Sequence, residues 1–173
     1  MADQATESFE NARSIVAEFI GASTDQIVFT KSATESINLV AYALTEKIKP
    51  GDRIVVSEME HHANLIPWQQ LAKRTGAELA WFEVTSEGRL DLSNIETVIT
   101  SNTALVAITH QSNVLGTINP IAPIVNRAQE VGAEVLIDAC QSVPHMTVDV
   151  QKLGVDYLAF SGHKALGPTG VGV

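Results

Sequence analysis

Five short segments hold most of the side chains that could do chemistry. They are Lys31-Ser32-Ala33-Thr34, Glu58-Met59-Glu60-His61-His62, His110-Gln111-Ser112-Asn113, Asp138-Ala139-Cys140-Gln141 and Ser161-Gly162-His163-Lys164. Each follows a run of apolar residues. Lys164 sits in "FSGHKALGPTG", among glycines and a proline, after the apolar "YLAF". A lysine held in a partly desolvated cleft has its ammonium form disfavoured, which frees the amine to attack a carbonyl and form a Schiff base. The Walker pattern G-x-x-x-x-G-K-[ST] is absent, so a nucleotide phosphate is a poor explanation for this lysine.

Asp138 ends the apolar "EVLID", where a buried carboxylate needs a partner. It reads either as the cap of the following turn or as the counter-charge of a cationic ring nitrogen. A Schiff-base lysine on one strand end and an aspartate on another suit pyridoxal 5'-phosphate, whose protonated ring is an electron sink. His61 and His62 read as surface histidines, as metal ligands or as an imidazole stacked on a flat ring. The spacings H-x-x-x-H and C-x-x-C are absent, which favours stacking, with proton transfer near neutral pH, over a metal. "SATESINL" sets Ser32, Ala33 and Thr34 at a helix start, where free N–H groups and the helix dipole favour an anion such as phosphate. A capping box between Ser32 and Glu35 uses the same residues, and both readings can hold. Ser161 and His163 offer further donors from a neighbouring strand end.

The elements that must position these groups alternate along the chain. Phe9, Ala12, Val16 and Phe19 recur at helical spacing, with Gly21 as the stop. "QIVFT" predicts a short buried strand, "TESINLVAYAL" a helix, "RIVVS" a strand, and "NLIPWQQLAKRTG" a helix closed by Gly76. "ELAWFEV" predicts a strand, "SNIETVI" a short helix capped by Ser93, and "ALVAITH" a strand. "PIVNRAQEVG" predicts a helix, and "EVLID" and "YLAFS" the last strands. Such alternation predicts an α/β fold: three αβα layers around a mostly parallel sheet covered on both faces. Ligands of such sheets bind at the carboxyl ends of the strands, where all five polar segments fall.

Composition narrows the class. With 173 residues, the chain suits one domain of ordinary size; 45% hydrophobic and 18% charged residues make it globular rather than disordered. A net charge of −9 argues against nucleic acid as the main partner. No apolar run approaches the roughly 18–20 residues of a membrane span, and the start is no signal peptide. One cysteine, Cys140, precludes an internal disulfide, and a reducing cytoplasm is the simplest compartment.

"SEMEHHANLIPWQ", "THQSNVLGTINP", "DACQSVPHMTVDVQKLGVDYLAFSGHK" and "GPTGVGV", in this order, resemble the class V branch of fold-type I pyridoxal phosphate enzymes. More narrowly they resemble group II cysteine desulfurases of the SUF type and their selenocysteine lyase relatives. The resemblance implies that Lys164 links to the cofactor and moves protons, that Asp138 faces the ring nitrogen, and that Gln141 donates to the phenolic oxygen. It implies that His61 stacks on the ring and acts as acid or base, and that Asn113 contacts cofactor or substrate. Ala33, Thr34, Ser161 and His163 match the phosphate cradle. Ser32 stands where many relatives have Gly, Ala33 where some have Thr, Ala165 replaces a bulkier residue, and Cys140 replaces a usual Ala. Cys140 reads as a packing residue, because the family's sulfur-accepting cysteine lies far beyond the lysine.

The activity so implied is conversion of L-cysteine to L-alanine and an enzyme-bound persulfide for iron–sulfur cluster assembly. Selenocysteine lyase, acting on L-selenocysteine, and another class V activity are the alternatives. A homodimer and a sulfur-acceptor protein are the implied partners, with no metal, nucleic acid or membrane. Residues 1–173 are expected to be a partial cofactor-binding large domain, lacking the family's N-terminal segment and its C-terminal small domain. The closing "GVGV" is expected to start a strand with no partner, and the isolated chain to be inactive or only a cofactor-binding fragment.

Overall fold

Alternate residues of the central strands serve two different cores. Val55, Val106, Ile108, Val135 and Ile137 belong to one apolar cluster, while Ile54, Val56, Leu105, Ala107 and Leu136 belong to the other. That division is the period of two of a strand buried on both faces. The computed structural model, which describes residues 2–173, runs α1 (Ala2–Ile20), α2 (Ala33–Ala43), β1 (Arg53–Ser57), α3 (Ile66–Thr75), β2 (Glu78–Phe82) and α4 (Ile95–Val98). It continues with β3 (Thr103–Thr109), α5 (Ile121–Val131), β4 (Glu134–Asp138), α6 (Ser142–His145), α7 (Val150–Leu153) and β5 (Tyr157–Ala159). The strands form one sheet in the order β2-β1-β3-β4-β5, with every neighbouring pair parallel. Residues of α2 and α3 join the cluster of one face, and those of α1, α5 and α6 join the other. The three αβα layers expected from the alternation are therefore present.

Helix ends follow the expected chemistry in several places. Gly76 and Gly132 close α3 and α5 with φ of 77° and 78°, a left-handed turn that glycine adopts without strain. Two expectations need correction. "QIVFT" is not a strand: a 3-10 turn occupies Thr24–Gln26, Val28 is 55% exposed, and Thr30 makes only an isolated bridge, because its sole strand-like neighbour is Gly172. The N-cap position of the short helix α4 is Asn94, whose side chain makes no capping bond, rather than Ser93, whose N–H donates to Asp91 Oδ1. The helix α1 forms where the spacing predicts it and stops before Gly21, at φ of 70°; its buried positions are Ala17 and Ile20, and exposed Phe9 packs edge-on to Phe29.

The closing "GVGV" also differs from expectation. Gly172 exchanges hydrogen bonds with Thr30, at 2.9 and 2.8 Å, and Val173 exchanges two with Phe160, both 3.0 Å. The segment thus pairs on both sides, antiparallel, and fills the gap between β5 and Thr30. A Cβ on Gly172 would lie 2.3 Å from the Ser32 carbonyl carbon, so the close approach admits glycine alone. This contact holds residue 172 against the start of α2.

Candidate functional site

The chain runs from β1 outward to β2 and then returns to the other side of β1 as β3. Order reverses there, and a crevice opens outside the carboxyl ends of neighbouring strands at such a reversal. A cavity of about 240 Å³ lies at these ends. It gathers all nine residues singled out from the sequence. His61 comes from the turn after β1, Asn113 from the loop after β3, and Asp138 and Gln141 from the end of β4. Ser161, His163 and Lys164 come from the turn after β5, and Ala33 and Thr34 from the first turn of α2.

The start of α2 is partly committed to its own caps. Ser32 Oγ accepts from the Glu35 N–H at 3.3 Å, as a capping box requires. The reciprocal bond is displaced by one residue: the Glu35 carboxylate takes the Lys31 N–H at 2.6 Å. The Ala33 N–H, expected to face an anion, donates to Ser161 Oγ at 2.9 Å. Ser161 is 5% exposed, and with its oxygen accepting from Ala33 its hydroxyl hydrogen is left to be donated. The donors that line the cavity at this helix end are the Thr34 N–H and hydroxyl, the Ser161 hydroxyl and His163, with the Ala33 N–H fixing Ser161.

Lys164 lies on the 3-10 turn Gly162–Ala165 and is half-buried. Its own N–H donates to the Ser161 carbonyl at 3.2 Å, and the Gly167 N–H closes the turn onto the Gly162 carbonyl at 2.9 Å. Leu166 takes φ of 61° to allow this closure, a left-handed conformation that strains a side chain of its size. The lysine is thus anchored by its backbone at both ends.

Asp138 is 4% exposed, and its Oδ1 accepts the Cys140 N–H at 3.0 Å. Among the described residues it has no salt-bridge partner, so a buried carboxylate faces the cavity without a fixed counter-charge. Cys140 lies within reach of both Asp138 and Lys164. Burial pushes its thiol up to about 12, the Asp138 charge adds to that, and Lys164 pulls the other way. At pH 8 only about one thiol in 10⁴ would be thiolate, and the thiolate is the nucleophile. Ellman's reagent is therefore expected to leave native Cys140 unlabelled at pH 8 and to label it on unfolding in urea; rapid labelling of the folded chain would refute this account.

His61 caps the 3-10 turn His62–Asn64, its Nδ1 accepting the Ala63 N–H at 3.0 Å. With that nitrogen an acceptor, the neutral ring carries its proton on Nε2. Thr109, Gln111 and Cys140 line the cleft as well, though the sequence assigned none of them to the cofactor or the chemistry and read Cys140 as a packing residue. Their shared signal was position: each lies at or within two residues of a strand's carboxyl end. A wider hollow of about 620 Å³ shares His61 and Asn113 with the cleft and is flanked by exposed Val114 and Leu115. Among the described residues no three of His, Cys, Asp and Glu group as metal ligands, and no helix is long and apolar enough to cross a membrane.

Comparison with known proteins follows the same lines. The family model for aminotransferase class V matches residues 1–173. A probable cysteine desulfurase of Streptomyces coelicolor is 55% identical over 179 residues, which are 100% of this chain and 43% of that protein. The chain therefore spans less than half the length of this curated relative. The solved apo structure of a cysteine desulfurase from Thermococcus onnurineus superposes with a TM-score of 0.94 at 48% identity, over 98% of this chain and 42% of that one. A structure of SspA in complex with cysteine superposes with a TM-score of 0.88 at 34% identity, over 99% of this chain and 49% of that one.

Proposed function

Because this chain belongs to the aminotransferase class V family, we propose that its cleft holds pyridoxal 5'-phosphate and that the whole protein is a cysteine desulfurase. One observation carries the cofactor reading: buried, unpaired Asp138 shares a single cleft with a turn-anchored lysine and the start of α2. The donor set fits the group. Asp138 supplies the counter-charge for a ring-nitrogen proton, and the α2 start with Thr34, Ser161 and His163 suits a phosphate. When bound, the cofactor supplies an electron sink for the carbon next to the substrate's amino group.

The chain's own groups then divide the work. Lys164 Nζ would hold the cofactor covalently and would take and return the proton of the substrate's α-carbon. Asp138 would keep the ring nitrogen protonated, and the Gln141 amide would donate to the ring's phenolic oxygen. The His61 imidazole would cover one ring face and, with its proton on Nε2, would serve as an acid or base beside the substrate. Asn113 reaches cofactor or substrate from the loop after β3. The cysteine that accepts sulfur and the group that binds the substrate carboxylate would come from the rest of the protein, this chain being read as part of its large domain. L-cysteine is the favoured substrate, since several relatives are cysteine desulfurases and SspA is solved with cysteine. The whole protein would be a cytoplasmic homodimer that passes sulfur to a partner for iron–sulfur cluster assembly.

The test has two stages. Pyridoxal phosphate added to the chain should give a visible absorption band fixed by borohydride; absence of both would remove the cofactor reading. The full-length protein should release alanine from cysteine, and a strong preference for selenocysteine would instead identify a lyase of that substrate.

A further inference from the structure

Glu60 has no part in the chemistry above, yet its carboxyl group accepts hydrogen bonds from three elements. Ser57 Oγ of β1 donates to Oε1 at 2.6 Å, the Thr109 N–H of β3 donates to Oε1 at 2.9 Å, and Asn64 Nδ2 donates to Oε2 at 2.7 Å. Asn64 is 0% exposed and cannot turn its amide, because its Oδ1 accepts the indole N–H of fully buried Trp68 at 3.0 Å. An indole N–H only donates, and so does a backbone N–H. Two one-way donors therefore require acceptors on two different oxygens of residue 60. The Ser57 hydroxyl can donate to a carboxylate or accept from an acid, so the contact survives either charge state.

We propose that Glu60 is a positioning residue that ties the turn carrying His61 to the ends of β1 and β3, and through Asn64 and Trp68 to α3, so fixing the imidazole at the cleft. His61 is the next residue in the chain, and its turn His62–Asn64 ends on the amide that Glu60 holds. The inference deepens the proposed reading of the cleft and rests on it for what the ring covers; the anchoring concerns this chain alone. The titratable groups around Glu60 are Asp138 at the end of β4, His110 next to Thr109, and Glu58, His61 and His62 on its own turn. Burial pushes its carboxyl up to about 8 against the pull of its three donors, with the Asp138 charge adding to the rise. A raised value in the folded state stabilises the fold fully below pH ~4.5 and loses that contribution as pH rises through about 8.

A glutamine side chain at position 60 has one acceptor oxygen for two one-way donors, so E60Q sets an N–H against an N–H at Thr109 or at Asn64. The pair E60Q/N64D restores the pattern: the amide introduced at position 60 donates to one carboxylate oxygen at position 64, and the indole of Trp68 donates to the other. Nuclear magnetic resonance of the His61 imidazole in the cofactor-free chain reads the effect directly. E60Q is expected to shift those resonances and to abolish the wild-type loss of stability between pH ~4.5 and ~8; E60Q/N64D returns the resonances to their wild-type positions. W68F loosens the same anchor without touching Glu60 and is expected to shift the same resonances if E60Q alone does not fold. With pyridoxal phosphate added, circular dichroism of the visible band should fall in E60Q and recover in the pair. The inference is overturned if E60Q or W68F lowers the melting temperature while the His61 resonances stay in place, or if the pair restores nothing. A wild-type chain with no visible band would sink the cofactor reading instead and leave the His61 result to decide the role of Glu60.

Discussion

Replacement of Lys164 with alanine is expected to remove every borohydride-fixed pyridoxyl group from the cleft. Wild-type protein, treated with pyridoxal phosphate and reduced, should gain one such group on the peptide containing Lys164. The variant should gain none there, because no other lysine lines the cavity. In the full-length enzyme, loss of a covalent nucleophile is expected to cut turnover by on the order of 10⁶-fold. Fold stability should change little: Lys164 forms no side-chain hydrogen bond or salt bridge among those found, and its turn is held by backbone contacts to Ser161, Gly162 and Gly167. An adduct that persists at full yield in the variant, mapped to the same peptide, would mean that the lysine was misassigned.

The second large effect falls on stability. Trp68 is fully buried in the cluster that joins α3 to α2 and to Ile54, Val56 and Leu105. Trp68→Ala is expected to destabilise by about 3–5 kcal/mol through the lost side chain and its cavity. A further ~1–3 kcal/mol follows from leaving the buried Asn64 Oδ1 without its donor. Against a typical total of about 5–15 kcal/mol, this leaves a small domain close to unfolding. Trp68→Phe keeps most of the volume and should cost only the hydrogen-bond part. Urea unfolding midpoints of the two variants measure the split, and a Trp68→Ala midpoint within 1 kcal/mol of wild type, by a threshold of roughly one ordinary hydrogen bond, would sink the account.

Both effects show why the site was readable before the fold was. Lys164, Asp138 and His61 each follow an apolar run, and a parallel sheet brings the carboxyl ends of its strands to one edge. Strand order therefore matters less than strand direction for predicting which residues meet. Trp68, by contrast, sits in a stretch whose helical period marks it as core, with no sign that its N–H would govern a residue four positions earlier.

What the sequence determined by itself was the αβα layering, most element positions, and nine of the groups that line the cleft. Local periodicity and chain direction encode those properties, and the motifs around His61, Asn113 and Lys164 are local too. Only the tertiary structure decided which donors were already taken. It assigned the Ala33 N–H to Ser161 across 128 residues of chain, and the Thr109 N–H to Glu60 across 49. It also gave "GVGV" partners on both sides, with Gly172 pressed on Ser32, and left "QIVFT" outside the sheet. Hydrogen bonds over such distances depend on how layers pack, and close packing between remote segments leaves no trace in the spacing of either one.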